Sequence, residues 1–185
     1  MDKGTDCYRR FREKGDDEAL AEIIIEYRDG LIFYLNSFVG DLGVAEELAE
    51  DTFVLLGTKK PRDKGTGSFK TWLYTIGRNI AVNDLRKRAR RGELAAEWCA
   101  QLPQQQTMET AYLQQEQKAM VHQAMGKLKR EYRQILWLLY FEDFTCREAA
   151  AVMRRSVHSA ETLAYRARKA LKAELEKEGY THEDI

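Results

Sequence analysis

The 185-residue sequence predicts an all-α protein. Three observations carry that prediction. Prolines are scarce, only Pro61 and Pro103. Valine- or threonine-rich alternating runs bounded by turns, the mark of strands, are missing. Apolar residues instead recur at three- and four-residue steps over most of the chain. The length suits one domain, or two small ones with separate cores.

The elements follow in order. Leu20, Ile24, Tyr27, Leu31, Leu35 and Phe38 share one helical face and predict a helix over 17–38. Gly40 and Gly43 flank a turn. A second helix over 44–56 turns Leu48, Thr52, Phe53 and Leu56 inward and Glu46, Glu47, Glu50 and Asp51 outward, and Gly57 suits its stop. "GTKKPRDKGTG" reads as a loop. Ser68 is placed to cap a long third helix, "SFKTWLYTIGRNIAVNDLRKRARR", with Phe69, Leu73, Ile76 and Ile80 as its core stripe.

Beside that stripe run Trp72, Asn79, Asn83, Arg86 and Arg90, passing from aromatic to amide to guanidinium. Amides pair bidentately with base edges, and arginine grips phosphate. A solvated charged helix end is the plainer alternative. Five cations in the six residues 86–91, with no acid among them, favour nucleic-acid contact over it.

Net charge is zero, but its distribution is uneven. Residues 1–56 carry 6 basic and 14 acidic side chains, residues 57–91 carry 11 and 2, residues 92–126 carry 1 and 4, and residues 127–185 carry 12 and 10. A cationic block thus follows an acidic one, a nucleic-acid footprint that averaging hides.

From 92 to about 108 the helical pattern dissolves, and Pro103 among glutamines marks a linker. We therefore expect one unit over 1–91, a flexible linker over 92–108 and a second unit over 109–185. In the second unit, helices are expected over 109–128 and 132–141. Thr145 with Glu148 forms a capping box for a short helix over 146–153. Ser156 caps the next helix, whose core stripe is Ala160, Leu163 or Ala164, Ala167 and Leu171. Two helices with small residues at their crossing, joined by a tight turn, are a helix-turn-helix signature, although alanine-rich hairpins also occur without DNA. Outward on the second helix lie His158, Ser159, Glu161, Thr162, Tyr165 and Arg166, with Arg168, Lys169 and Lys172 extending a basic side.

Taken together, the chain resembles a bacterial RNA polymerase sigma factor of the extracytoplasmic-function group, from about residue 19 to 175. "AEELAEDTF" resembles the family's core-binding motif, the third helix resembles its promoter-melting helix, and "LKREYRQILWLLYFEDFTCREAAAVM" with "AYRARKAL" resembles region 4. The resemblance implies that Glu46, Glu47, Glu50, Asp51 and Phe53 dock on the polymerase β′ clamp helices. It implies that Asp63, Lys64, Trp72, Asn79, Asn83, Arg86, Lys87 and Arg90 face the −10 element, with Asn79 at a flipped-out base. It places His158, Ser159, Glu161, Thr162, Tyr165, Arg166 and Arg168 at the −35 duplex, and region 4 against the β flap. The family also implies an anti-sigma factor, no cofactor and no enzyme activity.

The chain departs from the family's common pattern at several positions. Glu47 and Glu50 stand where Asp and Gln are frequent, Asn83 replaces a common Asp, and Asp63 replaces an aromatic. Arg154 stands at a turn that often has glycine, and Glu161 and Leu163 stand where basic residues are common.

Two other classes make different demands on these residues. A free-standing helix-turn-helix or RNA-binding module would leave the acidic second helix dispensable. A helical metalloenzyme would need its acids inward with a histidine nearby, but they lie outward, and His122, His158 and His182 have no zinc-ligand spacing. Cys7, Cys99 and Cys146 are scattered and read as reduced thiols, Cys146 as a half-buried inert one rather than a redox switch. The longest apolar run, "ILWLLYF", is too short to cross a bilayer, and no apolar leader opens the chain, so a cytoplasmic protein is expected.

Overall fold

The computed structural model describes residues 2–63, 67–91 and 115–177. Among these there are eight helices: α1 (Lys3–Lys14), α2 (Asp17–Val39), α3 (Leu42–Lys59), α4 (Phe69–Arg90), α5 (Gln115–Lys127), α6 (Arg130–Tyr140), α7 (Cys146–Met153) and α8 (Val157–Lys177). The all-α expectation holds, in two helical units, α1–α4 and α5–α8. The expected linker over 92–108 lies outside the described residues.

The helix starts are set by short polar side chains that satisfy the first free backbone N–H groups. Asp2, Asp16 and Asp41 accept from the N–H of Gly4, Ala19 and Val44 at 3.3, 3.1 and 2.9 Å. Ser68 accepts from Thr71 N–H at 3.2 Å, as its position in the sequence predicts. The Thr145–Glu148 capping box is closed in both directions, and Ser156 accepts from Ser159 N–H at 3.2 Å.

Two boundaries differ from expectation. The sequence reading did not include α1, although Gly4, Cys7, Tyr8 and Phe11 form a short buried stripe and Gly15 closes it in a left-handed conformation. Nor does α3 stop at Gly57. It runs two residues further, and Lys60 takes the left-handed cap at φ 44°. Glycine in a helix costs only about 1 kcal/mol, too little to end α3 by itself.

In the first unit α2 packs on α1, α3 and α4. Its fully buried Leu31, Tyr34 and Leu35 meet Leu73 and Tyr74 of α4, with the Tyr34 and Tyr74 rings 5.4 Å apart. The buried face of α4 is Phe69, Leu73, Tyr74, Gly77, Ala81 and Leu85, and the expected Ile76 and Ile80 lie at its margin, partly buried. The crossing with α2 causes this rotation. A Cβ at Gly77 would stand 2.9 Å from Leu31 Cδ1, so the helices touch where α4 has no side chain.

The second unit packs α6 against α8 and α7, with Ile135, Leu136 and Leu138 meeting Ala160, Leu163, Ala164 and Ala167. The small residues on α8 let α7 and α8 approach closely, as the helix-turn-helix reading requires. Arg154 ends α7 at φ 53°, ψ 48°, in the left-handed conformation expected at this turn.

Because Leu31 is fully buried, it cannot swing away from a larger side chain at residue 77. Gly77→Val would overpack this crossing, which costs about 1–3 kcal/mol, and its branched side chain brings little helix propensity in return. A loss in that range is expected in urea denaturation, and an unchanged midpoint would disprove the tight crossing.

Candidate nucleic-acid interface

The third helix of the sequence reading, now α4, is embedded at its start and free at its end. Phe69 is buried, Trp72 and Asn79 are half-buried, and Asn83, Arg86, Lys87 and Arg90 are exposed. Steps of seven, four, three and four residues align Trp72, Asn79, Asn83, Arg86 and Arg90 along one side. One of the terminal cations is committed: Arg88 pairs with Asp84, Nε to Oδ2 2.6 Å. Arg86, Lys87 and Arg90 project from the last turns, beyond the packed half of the helix.

The loop leading into α4 begins with Lys60, whose ammonium lies 4.5 Å from the Phe11 ring centre. Pro61 follows, its carbonyl accepting the Tyr8 hydroxyl at 2.7 Å, and then half-buried Asp63. Lys64 lies outside the described residues.

On α3, Glu46, Glu47, Glu50 and Asp51 are all exposed, as expected. Phe53 is only 7 % exposed. It therefore supports this face from below rather than offering its ring to a partner. The sequence reading overlooked Val54, which is 59 % exposed and lies one turn from Glu50 and Asp51. The face is thus an acidic rim with an apolar point in it.

On α8, His158, Glu161, Tyr165, Arg166 and Arg168 are exposed, and Ser159 and Thr162 are half-buried. Tyr165 is the largest projecting side chain at 63 % exposure. Arg168 leans back onto α6, where Nη1 donates to Tyr140 Oη at 3.4 Å. Thr162 caps inward on the His158 carbonyl at 3.0 Å. Beside this helix lies a concavity of about 430 Å³, lined by Lys129, Tyr132 and Arg155 together with His158, Ser159 and Arg166. Lys129, Tyr132 and Arg155 were missed in sequence because they lie on α6's cap, on α6 and in the turn. Arg155 is held by Glu131 at 2.7 Å.

The two units meet along a seam of α6 on α2 and α7 on α4. Glu142 is its polar centre, with a side chain only 10 % exposed. Its carboxylate accepts from Tyr74 Oη at 2.6 Å and from Lys70 Nζ at 2.9 Å, and Lys70 also donates to its backbone carbonyl at 2.8 Å. Burial, then the nearby Glu142 charge, raises the Tyr74 phenol far above its usual range, so it stays a donor. The rings of Tyr74 and Phe144 lie 5.2 Å apart, and those of Phe33 and Trp137 6.0 Å. At Gly30 a Cβ would come within 2.6 Å of Tyr74 Oη and 2.8 Å of Glu142. The seam leaves the outward face of α8 uncovered, since α8 packs on α5, α6 and α7.

Burial pushes the Glu148 carboxyl up, but hydrogen bonds from Thr145, Ser68 and Thr71 outweigh it and leave its pKa lowered. Among the described residues no group of three or more His, Cys, Asp or Glu is arranged to hold a metal, and no helix is long and apolar enough to cross a membrane.

These features define a class: a two-unit helical protein with a helix-turn-helix in one unit and a cationic helix in the other. Known proteins narrow it. Residues 23–91 match the family model for sigma-70 region 2, and residues 118–171 match sigma-70 region 4. The RNA polymerase sigma-H factor of Pseudomonas aeruginosa is 29 % identical over 168 residues, covering 86 % of this chain and 87 % of that protein. The ECF RNA polymerase sigma factor SigW of Bacillus subtilis is 26 % identical over 172 residues, covering 88 % and 92 %. Among solved structures, the sigma factor RpoE in complex with the anti-sigma factor NepR from Bartonella quintana superposes with a TM-score of 0.66 at 21 % identity, over 84 % of this chain and 96 % of that one. CnrH in complex with the cytosolic domain of CnrY gives 0.63 at 24 % identity, over 95 % and 96 %. The chain belongs to the sigma-70 family, as a sigma factor of the extracytoplasmic-function type. Its broad role is therefore promoter-specific initiation of transcription by RNA polymerase, in a family of transcription regulators.

Two outcomes test this geometry. Gly30→Val drives a wedge against Tyr74 and Glu142, so the radius of gyration in small-angle scattering should rise while far-UV circular dichroism stays unchanged. An unchanged radius would mean the seam does not hold the units together. Glu148→Ala should cost about 1 kcal/mol at neutral pH from the lost cap. A lowered folded pKa means the ionised form stabilises above the unfolded value and that this is lost as pH falls through the folded one. The gap between wild type and variant in urea denaturation should therefore narrow in acid; a gap that does not change with pH would contradict it.

Proposed function

We propose that this chain binds core RNA polymerase through the outer face of α3, reads a −35 element as duplex through α8, and helps to melt a −10 element with α4. The observation that carries this is α4 itself: a half-buried aromatic, two amides and free guanidiniums follow one another along one side of a single helix. Melting requires bases to be taken out of the stack, at a few kcal/mol each, and held against aromatic and amide groups. Trp72 and Asn79 offer these groups where the helix meets its domain, and Arg86, Lys87 and Arg90 supply phosphate contacts beyond them.

Residues 1–91 act as region 2, residues 92–108 as the linker and residues 109–185 as region 4. Glu46, Glu47, Glu50, Asp51 and Val54 meet the β′ clamp helices, with Phe53 beneath them. Asp63 and Lys64 belong to the loop that borders the −10 pocket. His158, Ser159, Glu161, Thr162, Tyr165, Arg166 and Arg168 face the major groove of the −35 element, where Glu161 is suited to accept from a cytosine amino group. Lys129, Tyr132 and Arg155 add phosphate contacts at its edge. Region 4 also meets the β flap. The similar sigma factor RpoE was solved with the anti-sigma factor NepR, and CnrH with the cytosolic domain of CnrY, and an anti-sigma partner is proposed here too. The site of action is the cytoplasm.

The test is run-off transcription with sigma-free core polymerase and fragmented host genomic DNA. Discrete start sites sharing a two-part upstream element are expected. No start sites, with no co-elution with core, would leave a free-standing nucleic-acid binder. Two variants sharpen the outcome. Glu47→Lys with Asp51→Lys should weaken co-elution with core by tenfold or more, as like charge meets like at the dock (each tenfold being about 1.4 kcal/mol). Arg90→Ala should lower the slope of log affinity against log salt by about one, the signature of one lost phosphate contact. Unchanged co-elution or an unchanged slope would remove these residues from their assigned surfaces.

A further inference from the structure

Helix α1 lies outside both matched family regions, which begin at residue 23 and residue 118. It nevertheless touches both ends of the loop between α3 and α4. At the near end the Tyr8 hydroxyl donates to the Pro61 carbonyl at 2.7 Å, and the Phe11 ring lies under the Lys60 ammonium at 4.5 Å. At the far end the Tyr8 ring lies 5.0 Å from Trp72 and 5.6 Å from Phe69. Asp2 closes the arrangement: one carboxylate oxygen caps α1 at Gly4 and the other accepts from Phe69 N–H, in the first turn of α4, at 2.9 Å.

One side chain therefore holds Pro61 and packs against an aromatic ring of α4. Tyr8 is 3 % exposed, and this hydroxyl contact is its one polar anchor. Burial pushes its phenol up to about 12, Arg12 opposing and the nearby Asp63 adding, so the hydroxyl remains a donor at any physiological pH. Asp63 lies two residues beyond Pro61, near enough for its charge to act on the Tyr8 phenol.

We propose that α1 is a splint for Lys60, Pro61 and the start of α4, and that Tyr8 is a positioning residue for base selection at the −10 element, its hydroxyl holding Pro61 and its ring holding Trp72. The inference rests on the −10 reading of α4. The role of Tyr8 is indirect: it packs on Trp72 with its ring and holds Pro61, two residues before Asp63, with its hydroxyl. Removing the hydroxyl leaves the rings packed and frees the loop alone.

The test uses holoenzyme reconstituted from core polymerase and the full chain, transcribing promoters found by genomic run-off and a template set with each −10 base changed in turn. Tyr8→Phe should lower discrimination between the preferred base and the others by about three- to tenfold, the equivalent of one lost hydrogen bond. Co-elution with core and binding of the −35 duplex should not change. Lys60→Asn is the second variant, since asparagine tolerates the left-handed backbone there and the change removes only the ammonium over Phe11. It should act in the same direction, and it decides the matter if Tyr8→Phe fails to fold by circular dichroism. Wild-type discrimination in folded variants overturns the proposal. So does a uniform fall in transcript from every template, which would make Tyr8 a stability residue only. If the wild-type chain initiates from two-part promoters yet shows no preference at any −10 base, the −10 reading fails and this inference falls with it.

Discussion

The structure depends on the crossing of α4 with its neighbours. This helix touches α1, α2, α3 and α7, so together with α2 it belongs both to the region 2 core and to the seam with region 4. Such crowding needs one position with no side chain, Gly77 against Leu31, and a start that cannot fray, with Ser68 capping Thr71 N–H and Asp2 holding Phe69 N–H. Beyond Leu85 the last turn then emerges with little but charge on it. Burial at one end anchors the helix against the repulsion among the cations at the other, which the Arg88–Asp84 pair partly relieves.

The seam is built differently from the two cores. Its centre is an ion pair of 10 % and 31 % exposed side chains, and partly buried pairs gain little net stability once desolvation is counted. Its aromatic pairs, Tyr74 with Phe144 and Phe33 with Trp137, add about 0.5–1.5 kcal/mol each beyond their area. The directional part of the closure is therefore a few kcal/mol. Micromolar to nanomolar binding to a large partner supplies about 8–12 kcal/mol. A contact of this size is small beside the free energy that a large partner supplies on binding. Single-residue specificity accompanies this weakness: Glu142 meets Lys70 and Tyr74 only because Gly30 leaves room for it.

Much of this was legible in the sequence where a rule is local. The Ser68 cap, the Thr145–Glu148 box, the Ser156 cap and the outward acids of α3 follow from one or two residues and a helical period. What was not legible depends on tertiary neighbours. The buried face of α4 is rotated from Ile76 and Ile80 toward Tyr74 and Gly77 because α2 crosses there, and no periodicity reports the position of another helix. Phe53 has the composition of a docking residue and the position of a core one. Helix α1 has a stripe of only four buried residues, two of them Gly4 and Cys7, too short and too mixed to stand out until Phe69 and Trp72 are placed against it. Glu142 looked like a polar residue at the end of an apolar run, and its partners lie 68 and 72 residues away.

The three non-glycine residues with positive φ tie these observations together. Lys60, Asp143 and Arg154 have φ of 44°, 55° and 53°, a conformation that costs an ordinary side chain about 1 kcal/mol or more. Each stands at a joint that aims something: Lys60 at the loop before α4, Asp143 beside Glu142 at the seam, Arg154 at the turn that orients α8. Each joint is also braced by its immediate neighbourhood. Lys60 lies over Phe11; Lys70 donates to the carbonyl of Glu142, which precedes Asp143; and Arg154 N–H returns to the Ala151 carbonyl while Arg155 is held by Glu131. Glycine would remove the strain at all three and would also let each joint bend. A side chain that accepts a left-handed backbone and is then clamped sacrifices about a kilocalorie per joint for a fixed direction, and in a protein whose helices must present their faces to one polymerase and one DNA duplex together, direction is the property that limits function.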